Sequence, residues 1–268
     1  MTPHQQKIYR ENWTNFSFLR HGWLDGMLVS SKNSGTHWLK FMLSGALAEK
    51  YGIDWPPYYS EAGTARFIGS PKHKDREPGL PKLAFSHTIP HRLIDFGPVW
   101  RLSRLPNYVL LTRHPAAILV SHYEKWRDQM GVSWIEYLKG DPSGKRYKCD
   151  IYWIARFWAR WAEILPRHQV MQVTYESLKA DPGAALRTLS DFLALLLDDE
   201  NIHIAIDAGS KENMQRFSDP DAEKNIIQHH TKPIGDYYKG EAGSIYRKLC
   251  ADLFDDTLGY CLTDLSCK

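Results

Sequence analysis

Short apolar runs alternate along this chain with stretches whose apolar residues recur at helical spacing. Residues 26–30, 82–86, 108–112 and 170–174 read as strands. After the first run, Leu39, Met42, Leu43, Ala46 and Leu47 fall on one helical face. Ile151, Ile154, Ala155, Trp158, Ala162 and Leu165 do the same later. This alternation predicts an α/β fold: a central, mainly parallel sheet with flanking helices. Pro115 and Pro182 stand where proline suits the first helical position. The Trp residues of the later helix are expected in the core. Residues 60–81 and 209–243 read as long polar loops, a length typical of binding loops and lids. No linker divides the chain, which predicts one domain over 1–268, with residues 1–20 open to forming an arm.

Composition narrows the function classes. The 268 residues suit one large α/β domain, and 43% hydrophobic against 24% charged content predicts a packed core. A formal charge of +3 without a basic stripe argues against nucleic acid as a partner, yet leaves room for a local cationic site that takes a small anion. Residues 1–7 lack the apolar core of a signal peptide, and the apolar run 192–197 is too short to span a bilayer. A cytoplasmic protein with no membrane segment is the expectation. Cys149, Cys250, Cys261 and Cys267 form no close pair, so free thiols and no zinc site are expected.

Three stretches carry candidate chemistry. Ser30-Ser31-Lys32-Asn33-Ser34-Gly35-Thr36-His37-Trp38 joins the first strand to its helix. Such a turn aims backbone N–H groups and the helix dipole at one point, where an anion binds. The same residues also suit an ordinary helix start capped by Ser34 or Thr36. They do not form a Walker A loop, because no Gly-Lys-Ser/Thr follows. Arg113 stands at the end of the third run, where its guanidinium can clamp a phosphate, and Ser121 follows eight residues on inside a helix. His87, in Phe85-Ser86-His87-Thr88-Ile89-Pro90, ends another strand and can serve as a general base or as a structural imidazole.

Taken in order, these segments resemble the cytosolic-type sulfotransferase family, which uses 3′-phosphoadenosine 5′-phosphosulfate (PAPS) as donor. The resemblance rests on Ser34-Gly35-Thr36-His37-Trp38, on Ser86-His87 ahead of Pro90, and on Arg113-His114-Pro115 with Val120-Ser121-His122-Tyr123. Val173-Thr174-Tyr175-Glu176-Ser177-Leu178-Lys179-Ala180-Asp181-Pro182 is similar to the family's Tyr-Glu-Asp-Leu-Lys-x-Asp-Pro, and Ser210-Lys211-Glu212-Asn213-Met214 to its Ser-Phe-Glu-x-Met. Lys232-Pro233-Ile234-Gly235-Asp236-Tyr237-Tyr238 is loosely similar to its closing loop. The likeness spans about residues 26–260.

The resemblance implies a P-loop-like fold and sulfuryl transfer to a hydroxyl or amine of a small molecule, with 3′,5′-adenosine bisphosphate (PAP) as product and no metal. It makes His87 the base and Lys32 the cation at the leaving phosphate. Asn33, Ser34, Gly35, Thr36 and His37 would hold the 5′-phosphosulfate. Arg113 and Ser121, with Lys232, would hold the 3′-phosphate, and Trp38 and Tyr175 would flank the adenine. The chain departs from the family at four points. Asn33 holds the place of the family's loop Lys, with Lys32 one residue earlier. Lys211 replaces an adenine-facing Phe. His230 replaces the closing-loop Arg, and one extra residue separates His87 from Pro90. The family's dimer segment is not visible, which leaves the oligomeric state open. Two other readings stay open: a small-molecule or nucleoside kinase, and a non-catalytic nucleotide-binding relative. The aromatic residues 55–59, the loop that follows to Pro81 and the segment 123–134 are candidate walls for the acceptor.

Overall fold

The computed structural model describes residues 16–55, 59–74, 76–167, 169–216 and 232–265. In chain order these form a 3-10 turn (Ser17–Arg20), β1 (Gly26–Ser30), α1 (Thr36–Tyr51), α2 (Glu61–Ala65), β2 (Ile68–Gly69), β3 (Leu83–Ser86), a 3-10 turn (Arg92–Asp95), α3 (Gly97–Leu102), β4 (Asn107–Thr112), α4 (Pro115–Met130), α5 (Trp134–Lys139) and α6 (Ile151–Ile164). Then follow β5 (Val170–Thr174), α7 (Tyr175–Ala180), α8 (Pro182–Phe192), α9 (Asp199–Ala208), α10 (Lys211–Arg216), α11 (Ile234–Tyr237) and α12 (Glu241–Leu253). The sheet is parallel throughout, in the order β2-β3-β1-β4-β5. The four predicted strands are present, each within one residue of its expected start.

The loop expected over 60–81 is in part ordered. Ser60 caps α2 by accepting from the Gly63 N–H, and Ile68–Gly69 add a fifth strand beside Leu83 and Ala84. Two residues are too few for a period-two pattern to show in the sequence. The stretch 209–243 contains α10, α11 and the start of α12. Its residues 217–231, with His230, lie outside the described residues, as do residues 1–15 of the expected arm, residues 56–58 of one expected wall, and Cys267.

The strands are apolar on both faces because helices cover both. Met27 and Val29 of β1 pack with Tyr108 and Leu110 of β4 against α4, α6 and α12. Leu28 packs with Val109 and Leu111 against α1, α8 and α9. Trp158 and Trp161 of α6 are fully buried, as expected, whereas Trp153 is only half-buried and turns to the carboxyl edge of the sheet. Cys149 and Cys250 are buried free thiols and Cys261 is an exposed one. Among the described residues no helix is long and apolar enough to cross a membrane.

Chain order sets where a site can form. From β1 the chain crosses to β2 and β3 on one side, then returns to β4 and β5 on the other. Crossovers on opposite sides leave a crevice at the carboxyl end of the central strand, between the turns that leave β1, β3 and β4.

Candidate active site

The turn after β1 is built on two left-handed residues, Asn33 (φ 58°) and Gly35 (φ 86°). Asn tolerates this region because its short polar side chain bonds locally; here the Asn33 amide donates to His122 Nδ1 at 2.8 Å. Gly35 is required by space as well as by φ. A Cβ placed on it would lie 2.5 Å from Cδ2 of Tyr175, so the ring sits where a side chain would stand. Gly35, not Ser34 or Thr36, is the N-cap of α1, and the helix carries no side-chain cap. Ser34 instead bonds Ser31 (Oγ–Oγ 2.6 Å) and Thr36 bonds Ser30 (2.6 Å), both buried. The hydroxyls thus brace the loop and do not cap the first turn of a 16-residue helix.

Two further turns are tied to this loop. His87, directly after β3, donates from Nδ1 to the Ser30 carbonyl at 2.8 Å. A carbonyl can only accept, so Nδ1 carries the proton and Nε2 keeps its lone pair. Burial pulls the His87 pKa down to about 4; the bond to Ser30 opposes this, while nearby Lys32, His37 and Lys40 lower it further. The ring is neutral near pH 7 and oriented by backbone, as a general base requires. Arg113, directly after β4, donates from Nη1 to the Asn33 carbonyl at 3.0 Å and lies 4.4 Å from the centroid of Tyr175. Tyr175 opens α7 after β5 and meets the edge of Trp38 at 6.0 Å between centroids. The Trp38 indole donates to the Gly209 carbonyl at 2.7 Å, which fixes its plane.

The remaining expected residues are placed less directly. Lys32 donates to the Lys148 carbonyl at 2.6 Å and lies 5.1 Å from the Trp153 centroid. Burial lowers its pKa, with Cys149 opposing and Lys148 adding to the effect. Trp153 in turn meets the His87 ring edge-on at 6.4 Å, so Lys32 reaches the neighbourhood of the base through this indole. Ser121 is buried on α4, one residue before the His122 ring that anchors Asn33. The ammonium of Lys232 is exposed and lies 4.3 Å from the Tyr237 centroid, and Tyr237 is tied to α4 by a 2.7 Å hydrogen bond to Glu124. His37 hydrogen-bonds the Tyr59 hydroxyl, which donates to Glu61.

Sequence reasoning missed three residues here. Lys40 is buried, pairs with Glu61 at 2.9 Å and lies 5.4 Å from the Phe85 centroid beside His87. Its signal was a lone charge between Leu39 and Phe41. His122 anchors the loop; it stands inside the Val120–Tyr123 match, where only Ser121 is singled out. Glu176 accepts from the His114 N–H at 3.0 Å and from Tyr260 at 2.8 Å, joining the turns after β4 and β5. Among the described residues no cluster of His, Cys, Asp or Glu could hold a metal ion.

Strand-end turns, a helix N-terminus with no side-chain cap and an arginine bonded to the loop thus stand together at the carboxyl edge of a parallel sheet, an arrangement that suits an anion. A family model described as a sulfotransferase domain matches residues 24–253. The chain belongs to the sulfotransferase family. Among solved structures it is similar to mouse sulfotransferase SULT7A1 complexed with PAP, at 16% identity and a TM-score of 0.64, over 97% of this chain and 94% of that one. It is also matched by a sulfotransferase from Alicyclobacillus acidocaldarius at 13% identity and a TM-score of 0.40, over 88% of this chain and 97% of that one. At such identities the first likeness concerns the fold alone. No curated protein matches the chain in sequence.

Proposed function

We propose that this protein transfers a sulfuryl group from PAPS to a hydroxyl or amine of a small molecule, with His87 as the general base. One observation carries the reading: the turns after β1, β3 and β4 are hydrogen-bonded into a single cluster around the uncapped start of α1. The cluster fits a doubly anionic adenine nucleotide. The first turn of α1, which has no side-chain cap, with Ser34 and Thr36 bracing the loop, suits the 5′-phosphosulfate. Arg113, with Ser121 on the adjacent helix and Lys232 from the 232–238 segment, suits the 3′-phosphate. Trp38 and Tyr175 offer two ring faces to an adenine, and the Gly35 cradle filled by Tyr175 holds one of them against the loop.

The donor supplies an activated sulfuryl group when bound. The protein's own residues do the rest. His87 Nε2 takes the proton that the acceptor hydroxyl or amine gives up, while Nδ1 stays bonded to Ser30. Lys32, Lys40 and the loop N–H groups make the surroundings positive where anionic charge gathers. No carboxylate is needed to carry a metal ion in such a scheme, because fixed cations take its part.

The test is transfer of labelled sulfate from PAPS to a panel of phenols, alcohols and amines, with His87→Ala beside the wild type. The variant is expected to lose on the order of 10²–10⁴-fold in kcat while PAP affinity stays within a few-fold. Equal turnover removes His87 from the mechanism. A second reading, binding without turnover, draws on the engagement of Lys32 with the Lys148 carbonyl. PAP binding without any label transfer identifies that case.

A further inference from the structure

A cavity of about 300 Å³ opens beside His87 on the side away from Arg113. The sheet order explains its position: β3 and β2 lie on one side of β1, and β4 with Arg113 on the other. Ser70, just past β2, forms one wall, and Phe85 with His87 forms another. The 3-10 turn Ser17–Arg20 closes a third. The donor cluster occupies the β1–β4 side of the base, so this cavity is where a second substrate can approach Nε2.

Its chemistry is one-sided. Arg20 and Lys72 line it, and no carboxylate does among the described residues. Both cations are exposed, and neither side chain has an ionic or hydrogen-bonded partner among the described residues. His21, also in the lining, is 1% exposed; its Nδ1 meets the Tyr108 hydroxyl at 2.8 Å, and its Nε2 is buried without a hydrogen-bond partner. A buried polar atom of this kind is normally satisfied, so this one stands out among the lining residues. Phe85 adds an apolar side chain to the same lining.

We propose that this cavity is the acceptor site, and that the acceptor is a small molecule bearing an anionic group which Arg20 and Lys72 receive while its hydroxyl or amine lies at His87. The inference rests on the sulfuryl-transfer reading for the role of His87, but the cavity and its charge stand independently of it. Excess positive charge at the mouth also raises the local concentration of an anionic acceptor, an effect that salt weakens.

The experiment uses three hydroxylated carboxylates, two aromatic and one aliphatic, each paired with its primary amide. Label transfer from PAPS is measured with wild type and with the Arg20→Gln/Lys72→Gln double variant, and calorimetric titration of the carboxylates is run in parallel on both proteins. The wild type is expected to prefer carboxylate over amide by about tenfold or more in kcat/KM, as for loss of a charge-assisted hydrogen bond. In the double variant the ratio is expected to fall to near one. Amides used as well as carboxylates by the wild type, or a preference that survives the double variant, overturns the proposal. If no acceptor of either kind is turned over, the panel of phenols, alcohols and amines decides the sulfuryl-transfer reading, and the titrations decide the cavity. Carboxylate binding that weakens about tenfold in the variant sustains it, and equal or absent binding sinks it.

Discussion

The Gly35→Ala substitution tests the packing at the heart of the site. Gly35 has φ 86°, a region that costs an L-residue about 1–2 kcal/mol. The new Cβ would also stand 2.5 and 2.8 Å from Cδ2 and Cε2 of Tyr175. The ring cannot retreat freely, because the Arg113 guanidinium lies 4.4 Å from its centroid and Trp38 meets its edge. Overpacking of this kind costs about 1–3 kcal/mol. The total is about 2–5 kcal/mol, which in a protein of this size lowers Tm by roughly 5–15 °C. Gly131→Ala is the control. Gly131 also has positive φ (61°), but a Cβ there meets nothing within 4 Å, so it bears only the backbone cost. Thermal unfolding and calorimetric titration with PAP are measured on both variants. Gly35→Ala is expected to lose more stability than Gly131→Ala and at least about tenfold in PAP affinity, as the displaced Tyr175 drags the Arg113 contact with it. Gly131→Ala is expected to keep its affinity. If the two variants behave alike in both measurements, Tyr175 does not hold the loop in register and the site is not built as described.

Other expectations follow from the same contacts. Arg113→Ala removes a charged hydrogen-bond partner and is expected to weaken PAP binding by on the order of 2 kcal/mol, read by titration calorimetry; unchanged affinity would detach Arg113 from the donor. Acid should unfold the protein earlier than carboxylate titration alone requires. Burial pushes His21, His87 and His122 down to about 4 from an ordinary value near 6.5. Between these values the unfolded chain binds protons that the folded chain does not, so stability is full above pH 6.5 and falls as pH drops toward 4. The deeply buried His21 and His122 are each worth at most about 3 kcal/mol in this window. Denaturant midpoints that stay flat from pH 7 to pH 5 would contradict the assigned neutral state.

Much of the site was legible before any tertiary information, and the reason is local. A parallel strand buried on both faces must be an apolar run, and the residues that end it must turn, so Ser34-Gly35-Thr36, His87 and Arg113 announce themselves as strand-end groups from neighbours within a few positions. Pro115 and Pro182 mark helix starts because a fixed φ and a missing N–H suit only that position, and both begin α4 and α8 as expected. The cap of α1 was less legible. Ser34 and Thr36 are good N-caps by type, yet their hydroxyls are taken by Ser31 and Ser30.

The amino-acid pattern by itself therefore determined the layer order of the fold and the set of residues delivered to one edge of the sheet. Tertiary structure decided which of those residues meet. His87 and Ser30 are 57 residues apart, Asn33 and His122 are 89 apart, and Lys32 and Lys148 are 116 apart. Such contacts depend on how helices pack across the sheet and on which charge finds a partner once water is gone, and neither leaves a periodic mark in the chain. Lys40 shows the difference most plainly. In sequence it is a charge among apolar neighbours, and only the folded chain brings Glu61 to it and makes the buried ammonium part of the electrostatics around the base.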